Sequence, residues 1–183
     1  MHNKKCNTCH FSVDDSNKVA ISKGQILQHY QEWGPSFRIE FDITVSCSLK
    51  NDATNVFHFT IGGTNHQYGD RIPAFFIKRN KKFGIRSAVN EDKNYRQDFD
   101  FNMNQQYHIV IQQYYKQCGI YVYQIEIDGQ IKHSIDNNKA QLFENVTFYA
   151  SNPWHTSFTS EFGLLRNLKV QQGTISHSLK MLS

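Results

Sequence analysis

Three groups of residues have types and spacings that could do chemistry. Near the start, Cys6-Asn7-Thr8-Cys9-His10 matches the Cys-x-x-Cys-His pattern that anchors a haem by two thioethers and one imidazole. The same residues supply three zinc ligands, and a zinc site needs a fourth that the sequence does not designate. No pocket-forming helix is expected nearby, so no cofactor is predicted, and these cysteines are read as bridged or loose. Further on, Glu126-Ile127-Asp128 begins a Glu-x-Asp-x-x-Glu pattern that could place glycosidase carboxylates on one strand, but position 131 is Ile. Asp128 is also claimed by an Asp-Gly turn. The third group is Asn65, His66, Tyr68 and Arg71, all in one short segment. A polysaccharide lyase needs a Tyr/His pair for proton transfer and a cation or amide against a uronate, and all are present. No Gly-x-Ser-x-Gly, phosphate loop, dinucleotide fingerprint or His-Glu-x-x-His occurs. The chain is therefore read as a recognition protein that is not an enzyme, with a lyase as the catalytic alternative.

That reading rests on two segments, Gly62 to Ala74 and Tyr149 to Trp154. Each follows a strand-like run, and each sets turn formers beside aromatic and hydrogen-bonding side chains. Polar, aromatic loops at strand ends are where β-sandwiches keep their binding surfaces. The candidate ligand contacts are Asn65, His66, Tyr68, Asp70, Arg71, Asn152 and Trp154. Aromatic rings offer a body to pack on a sugar, and Asn, Asp and Arg bond its hydroxyls. The competing reading makes Arg71 and Trp154 structural, with Trp154 capping the core behind Pro153 and Arg71 pairing with Asp70. No metal is expected: one carboxylate, Asp70, and two neutral amides, Asn65 and Asn152, make a weak calcium site.

The elements that would position these loops are strands. Phe37 to Val45 alternates strictly, with Phe37, Ile39, Phe41, Ile43 and Val45 on one face and charged or hydroxylated residues on the other. Asn55–Ile61, Ala74–Lys78, Lys82–Val89, Tyr107–Tyr115, Ile120–Asp128 and Val146–Tyr149 read as further strands, with Tyr95–Phe101 a weaker one. Asp128-Gly129 between alternating runs signals a tight hairpin. Val19 to Tyr30 could hold one short strand and a turn around Lys23-Gly24, Gln25 to Trp33 has weak helical spacing, and residues 1–18 read as a polar arm ahead of a single domain over 19–183. With 183 residues, 39% hydrophobic and 14% aromatic, the chain can fill one strand-rich core. The expected fold is all-β, a two-sheet antiparallel jelly-roll sandwich.

The order of segments resembles the concanavalin A-like jelly roll. Within that fold it resembles the laminin-G-like, farnesoic-acid-methyltransferase-like modules of animal extracellular proteins. The matching residues are Phe37–Asp42, Val56–Gly63, Gly69–Ala74, Ile125–Gly129, Val146–Trp154 and Leu165–Val170. The resemblance implies a binding or adhesion module in an extracellular or secreted setting. Two positions depart from it. Asn152 stands where relatives often carry Asp before Pro-Trp, and Asn65 and His66 stand where some carry cysteines. The partner is thus expected to be a glycan or an extracellular protein, and self-association as a structural or matrix protein is the alternative.

Charge and hydropathy exclude other partners. The formal net charge is +4, and its one dense run, Lys78-Arg79-Asn80-Lys81-Lys82, falls in a predicted turn, so no nucleic acid is expected. No run of eighteen apolar residues suggests membrane insertion. The first residues lack the apolar stretch of a signal peptide, as in a cytosolic chain or a mature fragment. Cys47 and Cys118 could pair as a cross-strand staple or stay as buried thiols. Asn145-Val146-Thr147 is a glycosylation sequon, meaningful if the chain is secreted.

Overall fold

A computed structural model of the chain describes residues 10–13, 22–47, 49, 51–157 and 163–173. These form strands and turns, with no helix among the described residues. The strands are β1 (His10–Val13), β2 (Ile26–Trp33), β3 (Phe37–Val45), β4 (Ala53–Thr60), β5 (Ala74–Lys78), β6 (Lys82–Val89), β7 (Asp92–Asp100), β8 (Gln106–Gln117), β9 (Ile120–Ile127), β10 (Gln130–Asn137), β11 (Phe143–Tyr149), β12 (Thr156–Ser157) and β13 (Gly163–Gln172). They make two sheets, a six-stranded one ordered β1-β13-β3-β8-β9-β10 and a seven-stranded one ordered β2-β11-β4-β5-β6-β7. The short β12 lies parallel to β4, and every other pairing is antiparallel.

Alternation along β3 puts Phe37, Ile39, Phe41, Ile43 and Val45 into the core and leaves Arg38, Glu40, Asp42 and Thr44 half-buried outside. Aromatic rings fill the space between the sheets. Phe41 from the six-stranded sheet lies 4.9 Å from Phe75 and 5.1 Å from Phe57 in the other. Phe59 stacks on Phe148 at 4.0 Å and meets Trp33 at 4.7 Å. Such pairs add to area burial by about 0.5–1.5 kcal/mol each.

Tight turns set the registers. Asp128 (φ 52°) and Gly129 (φ 74°) join β9 to β10 in the left-handed conformations a two-residue hairpin requires. Asn90 (φ 51°) and Glu91 (φ 69°) do the same between β6 and β7. That turn starts β7 at Asp92, three residues before the predicted Tyr95, and without a glycine to signal it.

Three expectations change. Residues 26–33 are strand β2 and not helical: pairing with β11, interrupted at Phe148/Tyr149, overrides the local spacing of Tyr30 and Trp33. Within the segment read as an arm, His10–Val13 pairs with β13, and the remaining residues of that arm lie outside the described ones. Cys47 and Cys118 are exposed and unpaired, since they sit beyond opposite ends of β8, a strand length of roughly 40 Å apart. Cys6 and Cys9 are outside the described residues.

Candidate functional site

The first loop leaves β4 at Thr60 and is shaped from within by Asp70. The Asp70 side chain is fully buried. Its Oδ1 accepts the Gly63 N–H at 3.1 Å, and its Oδ2 accepts those of His66 at 2.5 Å and Gln67 at 2.9 Å. A Cβ on Gly63 would stand 2.4 Å from Asp70 Oδ2, so the loop closes this tightly only with glycine there. Asp70 thus uses its carboxylate on backbone amides, and no ion pair joins it to Arg71 among the described residues.

Asn152 has the same office in the second loop. It too is fully buried. Its backbone N–H donates to Asn55 Oδ1 at 2.9 Å. Its Oδ1 accepts the N–H groups of Trp154 and His155 at 3.1 and 2.9 Å, and lies 3.0 Å from His155 Nδ1. The short polar side chain before Pro153 thereby holds the turn that presents Trp154.

His58 on β4 fastens the two loops together. It is fully buried, with Nε2 donating to the Asp70 carbonyl at 2.5 Å and Nδ1 accepting from Asn152 Nδ2 at 2.7 Å. Both contacts require the neutral ring with its proton on Nε2. Burial drives its pKa down to about 3, with Arg71 and His155 pushing the same way against the Asp70 carbonyl. Alternation marks His58 as outward-facing between Phe57 and Phe59, and from sequence that reads as solvated; the loops folding over it are what bury it.

Beyond the loops lies the outer face of the seven-stranded sheet. Registers align His58, Ala74, Arg86 and Arg96 in one row. Asn55, Phe76, Gly84 and Asp98 form the next, and Ala53, Lys78, Lys82 and Asp100 a third. The Phe76 ring is the floor: Arg71 lies over it at 5.3 Å and the His155 ring meets it at 5.2 Å. Arg71 Nε donates to the Thr64 carbonyl at 2.8 Å and Nη1 donates to Asn94 Oδ1. Trp154 is 41% exposed, with its ring edge-on to His58 and Tyr149. Burial, helped by Arg71 and Lys23, also lowers the His155 pKa. The exposed Trp154 ring can pack a flat, partly apolar ligand, and Arg71, carried on the buried Phe76, can bond its oxygens.

The other predicted residues have other surroundings. Tyr68 leans on Phe143 at 5.9 Å and its hydroxyl donates to the Lys139 carbonyl at 3.3 Å. His66 is exposed, with Lys93 Nζ donating to its carbonyl at 2.9 Å. Asn65 is half-buried, and its Oδ1 is enclosed without a protein partner. Tyr68 and Arg71 therefore serve opposite sides of the first loop. Asn145 of the sequon is exposed in a left-handed conformation on β11.

The outer face of the six-stranded sheet is arranged differently. Arg38 bonds Glu40 at 3.0 Å and Gln112 at 2.7 Å, and Lys169 also reaches Glu40. Gln112 donates to Glu126 at 3.0 Å, and Tyr114 donates to Gln124 at 3.2 Å. Asp42 meets His108 and Asn167 at 2.7 Å each. Burial pushes the Glu40 pKa up, yet the bonds from Lys169 and Arg38 outweigh it and hold the carboxyl below its usual range. Glu126 and Asp128 are likewise engaged, Asp128 Oδ1 accepting the His108 N–H at 2.8 Å.

No family model matches the chain, and no characterised sequence does. Solved structures match in fold. Trypanosoma rangeli sialidase with 2,3-difluorosialic acid gives a TM-score of 0.54 at 15% identity, over 77% of this chain and 21% of that one. The botulinum neurotoxin serotype D ligand binding domain in complex with N-acetylneuraminic acid gives 0.52 at 12%, over 91% and 39%. The native heptameric SAP-like pentraxin from Limulus polyphemus gives 0.52 at 13%, over 84% and 74%. The chain thus spans about a fifth of the sialidase and about two fifths of the toxin fragment. Together with the two antiparallel sheets, these likenesses establish a concanavalin A-like β-sandwich.

Proposed function

We propose that the chain is a recognition module, not an enzyme, and that it binds a glycan on the outer face of the seven-stranded sheet. One observation carries the reading: buried His58 locks two loops together, so that exposed Trp154, edge-on to His58, and half-buried Arg71, lying over Phe76, are both held on this face. Held this way, the side chains lose little freedom on binding, which favours affinity for a flexible sugar. The structural neighbours support a glycan ligand, because a sialidase and a toxin domain complexed with N-acetylneuraminic acid both contain this sandwich. Fold alone does not fix a ligand. The narrower resemblance to laminin-G-like, farnesoic-acid-methyltransferase-like modules fits the same reading and favours an extracellular setting.

A glycan array probed with the native chain and with Trp154→Ala tests this. Bound sugars should be lost in the variant while its melting temperature stays within a few degrees. An array blank for the native chain sinks the glycan reading. Self-association is the second reading, favoured by Ile131, 63% exposed on edge strand β10. Light scattering that shows a monomer at high concentration removes it.

A further inference from the structure

We propose that the ligand of this face is an anionic sugar, its carboxylate or sulfate group held by Arg71 and Arg96 beside Arg86. The inference rests on the glycan reading and narrows its ligand class. Arg86 and Arg96 are direct cross-strand partners, an arrangement that repels. Arg71 reaches the same region from the first loop, over Phe76 and onto Asn94 of β7.

Counter-charge on this face is short. Asp98 is the carboxylate that pairs with an arginine of this face, and it is shared between Arg86 at 2.8 Å and Lys78 at 2.8 Å. Gly84 leaves room for this convergence: a Cβ there would stand 3.2 Å from Lys78 Cδ and 3.4 Å from Arg86 Nη2. Asp100 pairs with Lys82. Asp70 is turned into its loop, and Asp92 accepts the Asn94 N–H. Five cations, Arg71, Arg86, Arg96, Lys78 and Lys82, therefore meet two paired carboxylates, Asp98 and Asp100, with the charge of Asp70 acting on Arg71 without an ion pair.

Arg71 and Arg96 have no carboxylate partner among the described residues. Burial, then the charges of Arg86 and Arg96, bring the Arg71 pKa down to about 10, so it remains protonated at neutral pH. The guanidinium fork suits a planar carboxylate or a sulfate, and an anion seated there would relieve the mutual repulsion. The exposed Trp154 would receive the sugar body.

An array carrying neutral, sialylated, uronate-containing and sulfated glycans tests the proposal, followed by titration of the strongest binder against Arg71→Gln and Arg96→Gln. Acidic glycans should dominate, and the carboxylate and sulfate classes show which anion is read. Arg96 is exposed, and its side chain makes no hydrogen bond or ion pair among the described residues, so Arg96→Gln should fold normally and weaken binding roughly tenfold, the scale of one charged hydrogen bond. Arg71→Gln should weaken it further, and added salt should weaken the native interaction. If neutral glycans bind as well as acidic ones, or Arg96→Gln binds unchanged, this inference falls while the glycan reading stands. If no glycan binds, both fall.

Discussion

On the outer face of the six-stranded sheet, Arg38, Glu40, Lys169, Gln112, Glu126 and Asp42 each bond a neighbour within the sheet. On the outer face of the seven-stranded sheet, Arg71 finds only carbonyl and amide oxygens and Arg96 stands beside Arg86. Both faces belong to one sandwich and share one core. The difference shows that polar residues on a sheet need not advertise a site. A network that satisfies itself offers a ligand little, because every new bond must replace an old one. A face whose cations outnumber their carboxylate partners can gain from binding. Concentration of polar residues is thus a poor guide to function, and the state of their partners a better one.

The largest expected effect falls on both faces together. Phe41 packs between the sheets, and Phe41→Ala should cost about 3–5 kcal/mol in urea unfolding. Sugar binding and the six-stranded sheet should fail in one transition; two separate transitions would mean that the faces fold independently. Next, Asp70→Ala should cost about 2–4 kcal/mol, because three loop N–H groups lose their acceptor. Hydrogen exchange should rise in residues 62–71 and stay unchanged in β8 and β9. A uniform rise would erase the distinction between the faces.

Acid should also act on one face first. An unfolded histidine titrates near 6.5, whereas His58 is held near 3. Between these values the unfolded chain binds more protons, so stability rises with pH, is fully present above about 6.5 and falls as the pH drops toward 3. His58 alone should cost roughly 1 kcal/mol at pH 5.5 relative to neutral. His155 and His133 are shifted the same way by burial and add a smaller share. The His58 ring resonance should not titrate above pH 5; a midpoint near 6.5 would show that the two loops are not locked. The smallest effect is expected on the saturated face. Arg38→Ala should cost less than about 1 kcal/mol and leave glycan binding unchanged. Lost binding there would move the site to the other sheet.

Much of this was legible in the residues. Strict alternation from Phe37 to Val45 is a backbone property printed in side-chain type, and Asp128-Gly129 has few conformations other than a hairpin turn. The two loops were also visible as segments. What their side chains do was not, because a short polar side chain reads alike whether it turns inward to amides, as Asp70 and Asn152 do, or outward to a ligand. His58 was invisible for a related reason: its burial comes from segments distant in the chain. β2 was misread because Tyr30 and Trp33 are three apart, and only pairing with β11 shows that the segment is extended.

Finally, β1 and β13 lie side by side, with His10 opposite Gln171. The first and last described strands thus meet at one margin of the six-stranded sheet, and topologically the sandwich is almost a closed ring. The exposed Cys118-Gly119 turn lies at the far end of β8 and β9. A circular permutant opened there, with β13 tethered to β1, keeps every ladder and both loops intact. By the same geometry, a surface loop of an unrelated host could carry the whole sandwich as an insert, attached at a single place like a pendant.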